Sequence, residues 1–143
     1  MARLIPTIKP EEIKNKGERD LATALVKHLG KDVQIFHSFD WIRHQQPENG
    51  RGFLQEGEAD FVIIDPDNGI LFVEVKGGMV RYETVGDVWI RRHNDKPEEQ
   101  LSKSPFSQAQ DSMHTLMDKI KQDPCFRSAG VKFTFGYAVA FPH

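Results

Sequence analysis

The chain is poor in the residues that build covalent or thiolate-metal frameworks. It holds one cysteine, Cys125, among 143 residues. Neither an intramolecular disulfide nor a cysteine-ligated zinc site can form within one copy, which fits a reducing cytoplasm. Its six histidines contain no pair at i, i+4 with a third ligand, so histidine-held zinc is unsupported too. Charge of one sign is also lacking: 19 basic and 21 acidic residues leave a net charge of -2, and any nucleic-acid surface must be local. No apolar run approaches the roughly 20 residues that span a bilayer, and the Met1–Pro6 start lacks the apolar core of a signal peptide. A soluble, non-exported protein with no membrane partner is expected. Repeats and low-complexity tracts are missing as well.

What is present is ordinary for a globular protein, with 38% hydrophobic and 28% charged residues. The length suits one domain with a real core and is too short for two. A single domain over residues 1–143 is therefore expected. The abrupt close at Phe141-Pro142-His143 reads as the N-terminal module of a longer protein.

The most informative stretch runs from Gly57 to Gly78. Two apolar runs, Phe61 to Ile64 and Ile70 to Val75, flank Pro66-Asp67-Asn68-Gly69, the composition of a tight turn. This predicts a β-hairpin. Side chains alternate faces along a strand, so Glu74 and Lys76 share a face with Ile70 and Phe72, while Leu71, Val73 and Val75 face the other way. A register centred on Asp67, with a three- or five-residue loop or a bulge at Gly69, sets Asp60 opposite Glu74; a plain four-residue loop sets it opposite Val75. We expect the first. Two such carboxylates about 5 Å apart repel by roughly 3 kcal/mol at an effective dielectric near 20, so a cation should lie between them.

Elsewhere, Met1 to Pro10 reads as an extended or irregular lead. A helix is predicted from about Glu11 to Leu29, stopped by Gly30, with Leu21, Ala22, Leu25 and Leu29 as one apolar stripe. Glu18 prolongs that stripe by a turn and aims a carboxylate at the protein body, although an acid at the exposed front of a helix is also favoured by its dipole. Asp32 to Phe39 has strand character, with Val33, Ile35 and Phe36 as buried candidates. Asp40 to Glu56, with Trp41, Arg43, His44, Arg51 and Phe53, lacks periodicity and reads as a rim loop. Short strands are predicted at Met79–Thr84 and Asp87–Arg92, then a charged loop from His93 to Lys103. Ser104-Pro105 opens a helix that buries Phe106, Ala109, Met113, Leu116, Met117 and Ile120 and ends at Pro124. Val131 to Phe141 reads as a long final strand. The order predicts an α/β sandwich around a mixed sheet.

Chemically, Asp60, Glu74 and the carbonyl of Val75 form an all-oxygen donor set suited to Mg²⁺ or Mn²⁺. Lys76, on the same face, could orient or deprotonate a water and offset charge on a phosphate. Arg81, Arg91, Arg92 and Lys96 are candidate phosphate contacts, although solvated strand charges are the more frequent meaning of such residues.

Asp60 followed by Glu74-Val75-Lys76 resembles the D, E-x-K signature of the PD-(D/E)XK nuclease superfamily. More closely, Gly57–Ile64 and Gly69–Gly77 resemble the NERD (nuclease-related) domain. Gly17-Glu18, Pro105-Phe106-Ser107-Gln108-Ala109 and Val139-Ala140-Phe141-Pro142 extend the resemblance from about Gly17 to Pro142. The resemblance implies a restriction-endonuclease-like mixed central sheet flanked by helices. It further implies Mg²⁺-dependent endonuclease-like cleavage of DNA, with RNA as the other substrate class, in a module joined to a helicase or other domain. By position it implies metal ligands at Asp60 and Glu74, a catalytic lysine at Lys76, and an acid at Glu18 that binds the metal or its water. Gln108 either contacts the site or faces solvent. Glu58, of the same strand parity as Asp60, is either a ligand or a neighbour that fixes the strand entry. The competing reading is a catalytically silent nucleic-acid-binding or docking module that only positions a partner domain.

Overall fold

The computed structural model describes residues 1–45 and 53–142, with the side chains of residues 1–38 and 59–142. In chain order the elements are β1 (Arg3–Ile5), a 3₁₀ turn (Pro10–Glu12), α1 (Lys16–His28), β2 (Gln34–Gln45), β3 (Phe53–Asp65) and β4 (Gly69–Val75). They continue with β5 (Met79–Glu83), β6 (Val88–Arg92), β7 (Glu99–Gln100), α2 (Pro105–Gln122), α3 (Pro124–Ala129) and β8 (Phe135–Ala140).

The central hairpin forms as its turn chemistry dictates. The Asp65 carboxylate accepts from the Asp67 N–H at 2.9 Å and from the Asn68 side chain at 2.8 Å, an Asx arrangement that closes the loop locally. Gly69 takes φ 103°, and a Cβ there would lie 1.9 Å from the Thr134 carbonyl oxygen, so only glycine fits. Asp65 pairs with Gly69 and the ladder runs from Ile64↔Ile70 to Phe61↔Val73. This is the three-residue loop and the register expected.

Five strands form one mixed sheet in the order β1-β2-β3-β4-β8, with β1 parallel to β2 and β8 parallel to β4. Alternation sends the side chains to two cores. Ile35, Phe61, Ile63, Val73 and Val75 meet Ala22, Leu21 and Leu25 of α1 on one face. Val62 and Phe72 meet Met113, Leu116 and Met117 of α2 on the other. Phe61 and Phe72 are wholly buried on opposite faces, each stabilising by about 2–3 kcal/mol through apolar burial. The restriction-endonuclease-like expectation of a mixed sheet between helices is met. A second sheet, β5-β6-β7, stands beside the first. Among the described residues no helix is long and apolar enough to cross a membrane.

Several local expectations are corrected. The lead contains β1, paired with Gln34 to Phe36, and buries Ala2 and Leu4. α1 starts at Lys16 rather than Glu11, because the chain first turns to bury Ile13 and the Asn15 side chain then caps the helix by accepting from the Glu18 N–H at 3.2 Å. The rim loop is largely strand: β2 and β3 stay paired from Phe39↔Ala59 to Gln45↔Phe53. Backbone ladder bonds need no apolar side chain once an adjacent stretch has set the register. Residues 46–52, Arg51 included, lie outside the described residues, as do the side chains of Trp41, Arg43, His44 and Phe53.

The charged loop after β6 contains β7, where Glu99 pairs with Arg91. Pro124 ends α2 but also opens α3, because Asp123 accepts from the N–H groups of Cys125 and Phe126. The last strand is shorter than expected, beginning at Phe135 where its partner β4 begins, and Val131 is 55% exposed. Phe106 is 42% exposed and packs not on the sheet but against Trp89 of β6 and Phe141, at ring distances of 5.7 and 6.3 Å.

Candidate active site

One step beyond Phe61↔Val73 the register sets Asp60 opposite Glu74, yet the ladder stops there. Instead the Val75 N–H donates to Asp60 Oδ2 at 2.7 Å, so a side chain takes the bond that a strand backbone would otherwise supply. β3 parts from β4 at this point while remaining paired to β2. The Asp60 carboxyl is thereby pinned at the end of β4, next to Glu74.

Glu74 is only 4% exposed. A buried carboxylate needs a partner, and Lys76, two residues on, supplies it from Nζ to Oε1 at 2.7 Å. The Lys76 backbone is tied down as well, its N–H donating to the Ala140 carbonyl of β8 at 2.9 Å. Burial pushes the Asp60 carboxyl up to about 7, and the charge of Glu74 adds to this; the Val75 N–H opposes it, Glu18 raises it further and Lys76 lowers it. Three acids and one amine therefore sense each other at one end of the sheet.

Glu18 reaches this corner because Gly17 has no side chain. A Cβ at Gly17 would lie 3.0 Å from Pro142 Cγ and 3.4 Å from both Asn15 Oδ1 and Val75 Cγ1, so a side chain there would press on the close approach of α1 to β4. Glu18 does not stand in bulk solvent: its side chain is 16% exposed, and its Oε2 lies 2.7 Å from His37 Nε2 on β2. His37 escaped sequence reasoning, which weighed histidines only as metal ligands. Its signal was strand parity, since it continues the buried Val33, Ile35 face by one further step. Beside it, Ser38 adopts φ 51°, a sparsely populated conformation for a non-glycine residue. Ser38 is the residue across from Asp60, where the β2–β3 ladder skips a pair between His37↔Phe61 and Phe39↔Ala59.

The remaining candidates lie apart or outside. Gln108 is half-buried in the first turns of α2, the helix that covers the Phe72 face. The Glu58 side chain lies outside the described residues, and its backbone pairs with Asp40. Arg81 is engaged by Glu83 and Glu98, with contacts of 3.0 Å and 2.5 Å, which hold its guanidinium above its ordinary range, Glu98 contributing most. Arg91 pairs with Glu99, Arg92 donates to the Met79 sulfur at 3.3 Å, and Lys96 is exposed. The pairing of Arg81 and Arg91 with acids makes their stretch of the second sheet nearly neutral.

Among the described residues no group of three or more His, Cys, Asp or Glu side chains is placed to hold a metal ion. The donor set still fits one kind. Mg²⁺ is commonly bound through one or two carboxylates and keeps several waters, which matches Asp60, Glu74 and the Val75 carbonyl.

No curated protein and no solved structure matches the chain. The family comparison does: the model of the nuclease-related domain covers residues 13–142, a span that takes in Glu18, Asp60, Glu74 and Lys76 together. With nearly its whole length inside that match, the chain belongs to the nuclease-related domain (NERD) family.

Proposed function

We propose that this chain is a Mg²⁺-dependent nuclease that hydrolyses phosphodiester bonds of DNA at the Asp60, Glu74, Lys76 corner. The observation that carries the reading is the pinning of Asp60 by the Val75 N–H beside a buried Glu74–Lys76 pair. Asp60, Glu74 and the Val75 carbonyl are the residues that would hold the ion. A bound Mg²⁺ supplies Lewis-acid charge for a phosphoryl oxygen and acidifies a water.

The chain's own side chains do the rest. Lys76, anchored at both its backbone and its ammonium, stands beside the place where charge builds on the phosphate and offsets it. Glu18 orients a water from the α1 side. Burial of Glu74 excludes bulk solvent from the Phe72 face, which strengthens each of these interactions.

A second reading, a non-cleaving nucleic-acid-binding or docking module, is favoured by the absence of a three-side-chain metal group among the described residues. One assay separates the two. Purified protein is incubated with single-stranded, double-stranded and branched DNA, and with RNA, in Mg²⁺, Mn²⁺ or EDTA, beside Asp60→Asn and Lys76→Ala. Metal-dependent product from the wild type alone supports the nuclease. Binding that survives EDTA, with no product under any metal, supports the docking module.

A further inference from the structure

We propose that His37 is a positioning residue of this centre: its Nε2 fixes the Glu18 carboxylate so that Glu18 serves a water at the Asp60 corner rather than a metal directly. This rests on the nuclease reading above and assigns a role to a residue that reading does not use.

The geometry carries the argument. A carboxylate only accepts hydrogen bonds, so in the 2.7 Å contact His37 Nε2 is the donor and Glu18 Oε2 the acceptor. Ser38 Oγ lies 3.3 Å from the same nitrogen. The contact is sheltered, with 11% of the His37 side chain and 16% of Glu18 exposed, so water competes poorly for it. The imidazole cannot swing away, because its ring packs on Phe61 at 5.1 Å and Phe61 is wholly buried.

One Glu18 oxygen is thus committed and the other is left for a further donor. Glu18 is near enough to Asp60 to raise its pKa, yet Glu18, Asp60 and Glu74 do not form a three-ligand group. With one oxygen held by His37, Glu18 is assigned to a water at this corner rather than to the ion itself. The local backbone is irregular at the same place: the left-handed Ser38 interrupts the β2–β3 ladder opposite Asp60. Partners that orient groups around a metal commonly contribute about 10- to 100-fold to affinity or rate.

The test is a double-mutant cycle on the full chain with two readouts, DNA cleavage and Mn²⁺ binding by calorimetry. His37→Leu removes the donor but keeps an apolar body against Phe61; His37→Gln returns an N–H near the position of Nε2. Circular dichroism and melting establish that each variant is folded.

His37→Leu is expected to lower turnover about 10-fold or more with little change in KM for DNA, and His37→Gln to recover most of it. Mn²⁺ affinity should fall several-fold in both Glu18→Gln and His37→Leu, and no further in the double variant, because the two act as one unit. Wild-type turnover and affinity in His37→Leu would overturn the assignment, as would effects of Glu18→Gln and His37→Leu that multiply. If the wild type cuts nothing but the Mn²⁺ arm behaves as stated, the nuclease reading falls and the positioning role stands. A wild type that binds no Mn²⁺ overturns both.

Discussion

Asp60→Asn should make the metal-free protein more stable above neutral pH while destroying its activity. The carboxyl titrates near 7 in the fold against 3.8 in the unfolded chain. Between those values the native state holds a proton that the unfolded state has released. Stability therefore falls as pH rises from about 4 to about 7, and the full penalty persists above 7. The groups acting on Asp60 are Glu74 and Glu18, which raise it, and the Val75 N–H and Lys76, which lower it.

A shift of about three units corresponds to about 4 kcal/mol; discounted for the partial exposure of Asp60, about 2 kcal/mol is expected. Asparagine keeps an acceptor for the Val75 N–H and sheds the charge. In EDTA at pH 8 its melting temperature should exceed that of the wild type by about 4–8 °C, and the gap should close towards pH 4–5. Saturating Mg²⁺ should invert the order, since a ligand at 100 times its Kd adds about 2.7 kcal/mol to the wild type alone. Calorimetric melts from pH 4.5 to 8.5, with and without Mg²⁺, measure all of this. A gap independent of pH, or a variant less stable than the wild type in EDTA at pH 8, would refute the electrostatic reasoning.

Further outcomes follow from neighbouring residues. Lys76→Ala should abolish cleavage and also lower the melting temperature in EDTA, because it strands the buried Glu74 charge at a cost of about 3 kcal/mol; Mg²⁺ should restore part of that loss in a melt. Gly69→Ala should destabilise by more than about 2 kcal/mol by denaturant titration, since it meets both a positive φ and the Thr134 carbonyl. Asn15→Ala should cost about 1 kcal/mol through the lost cap and reduce turnover modestly, because that cap sets the first turn carrying Glu18. Gly17→Val should reduce cleavage far more than it reduces the melting temperature, checked by comparing both on one preparation.

The hairpin was legible because three independent signals agreed, the apolar run Phe61–Ile64, the apolar run Ile70–Val75 and the turn residues between them; the loop length stayed open in the sequence and is settled by the Asp65↔Gly69 pair. Glu18 was legible from the apolar stripe of α1, although the boundary at Asn15 was not, since Ile13 continues the apolar pattern while the chain there is not helical. Asp40 to Gln45 was misread as loop because its pairing with β3 is a property of the ladder, which leaves no periodic trace in polar side chains. Phe106 shows the reverse. Its helical position predicts the core, but Trp89 and Phe141, distant in sequence, offer it a different aromatic neighbour. His37 required knowing that its side chain meets Glu18 of α1, a tertiary fact that strand parity alone does not supply.

The fit of Gly17 between Pro142 and Val75 means that the acid on α1 is placed by groups that carry no charge. A methyl-sized change at residue 17 would bear on these neighbours without altering any ionisable group. The position of a carboxylate at this corner thus depends in part on purely steric neighbours.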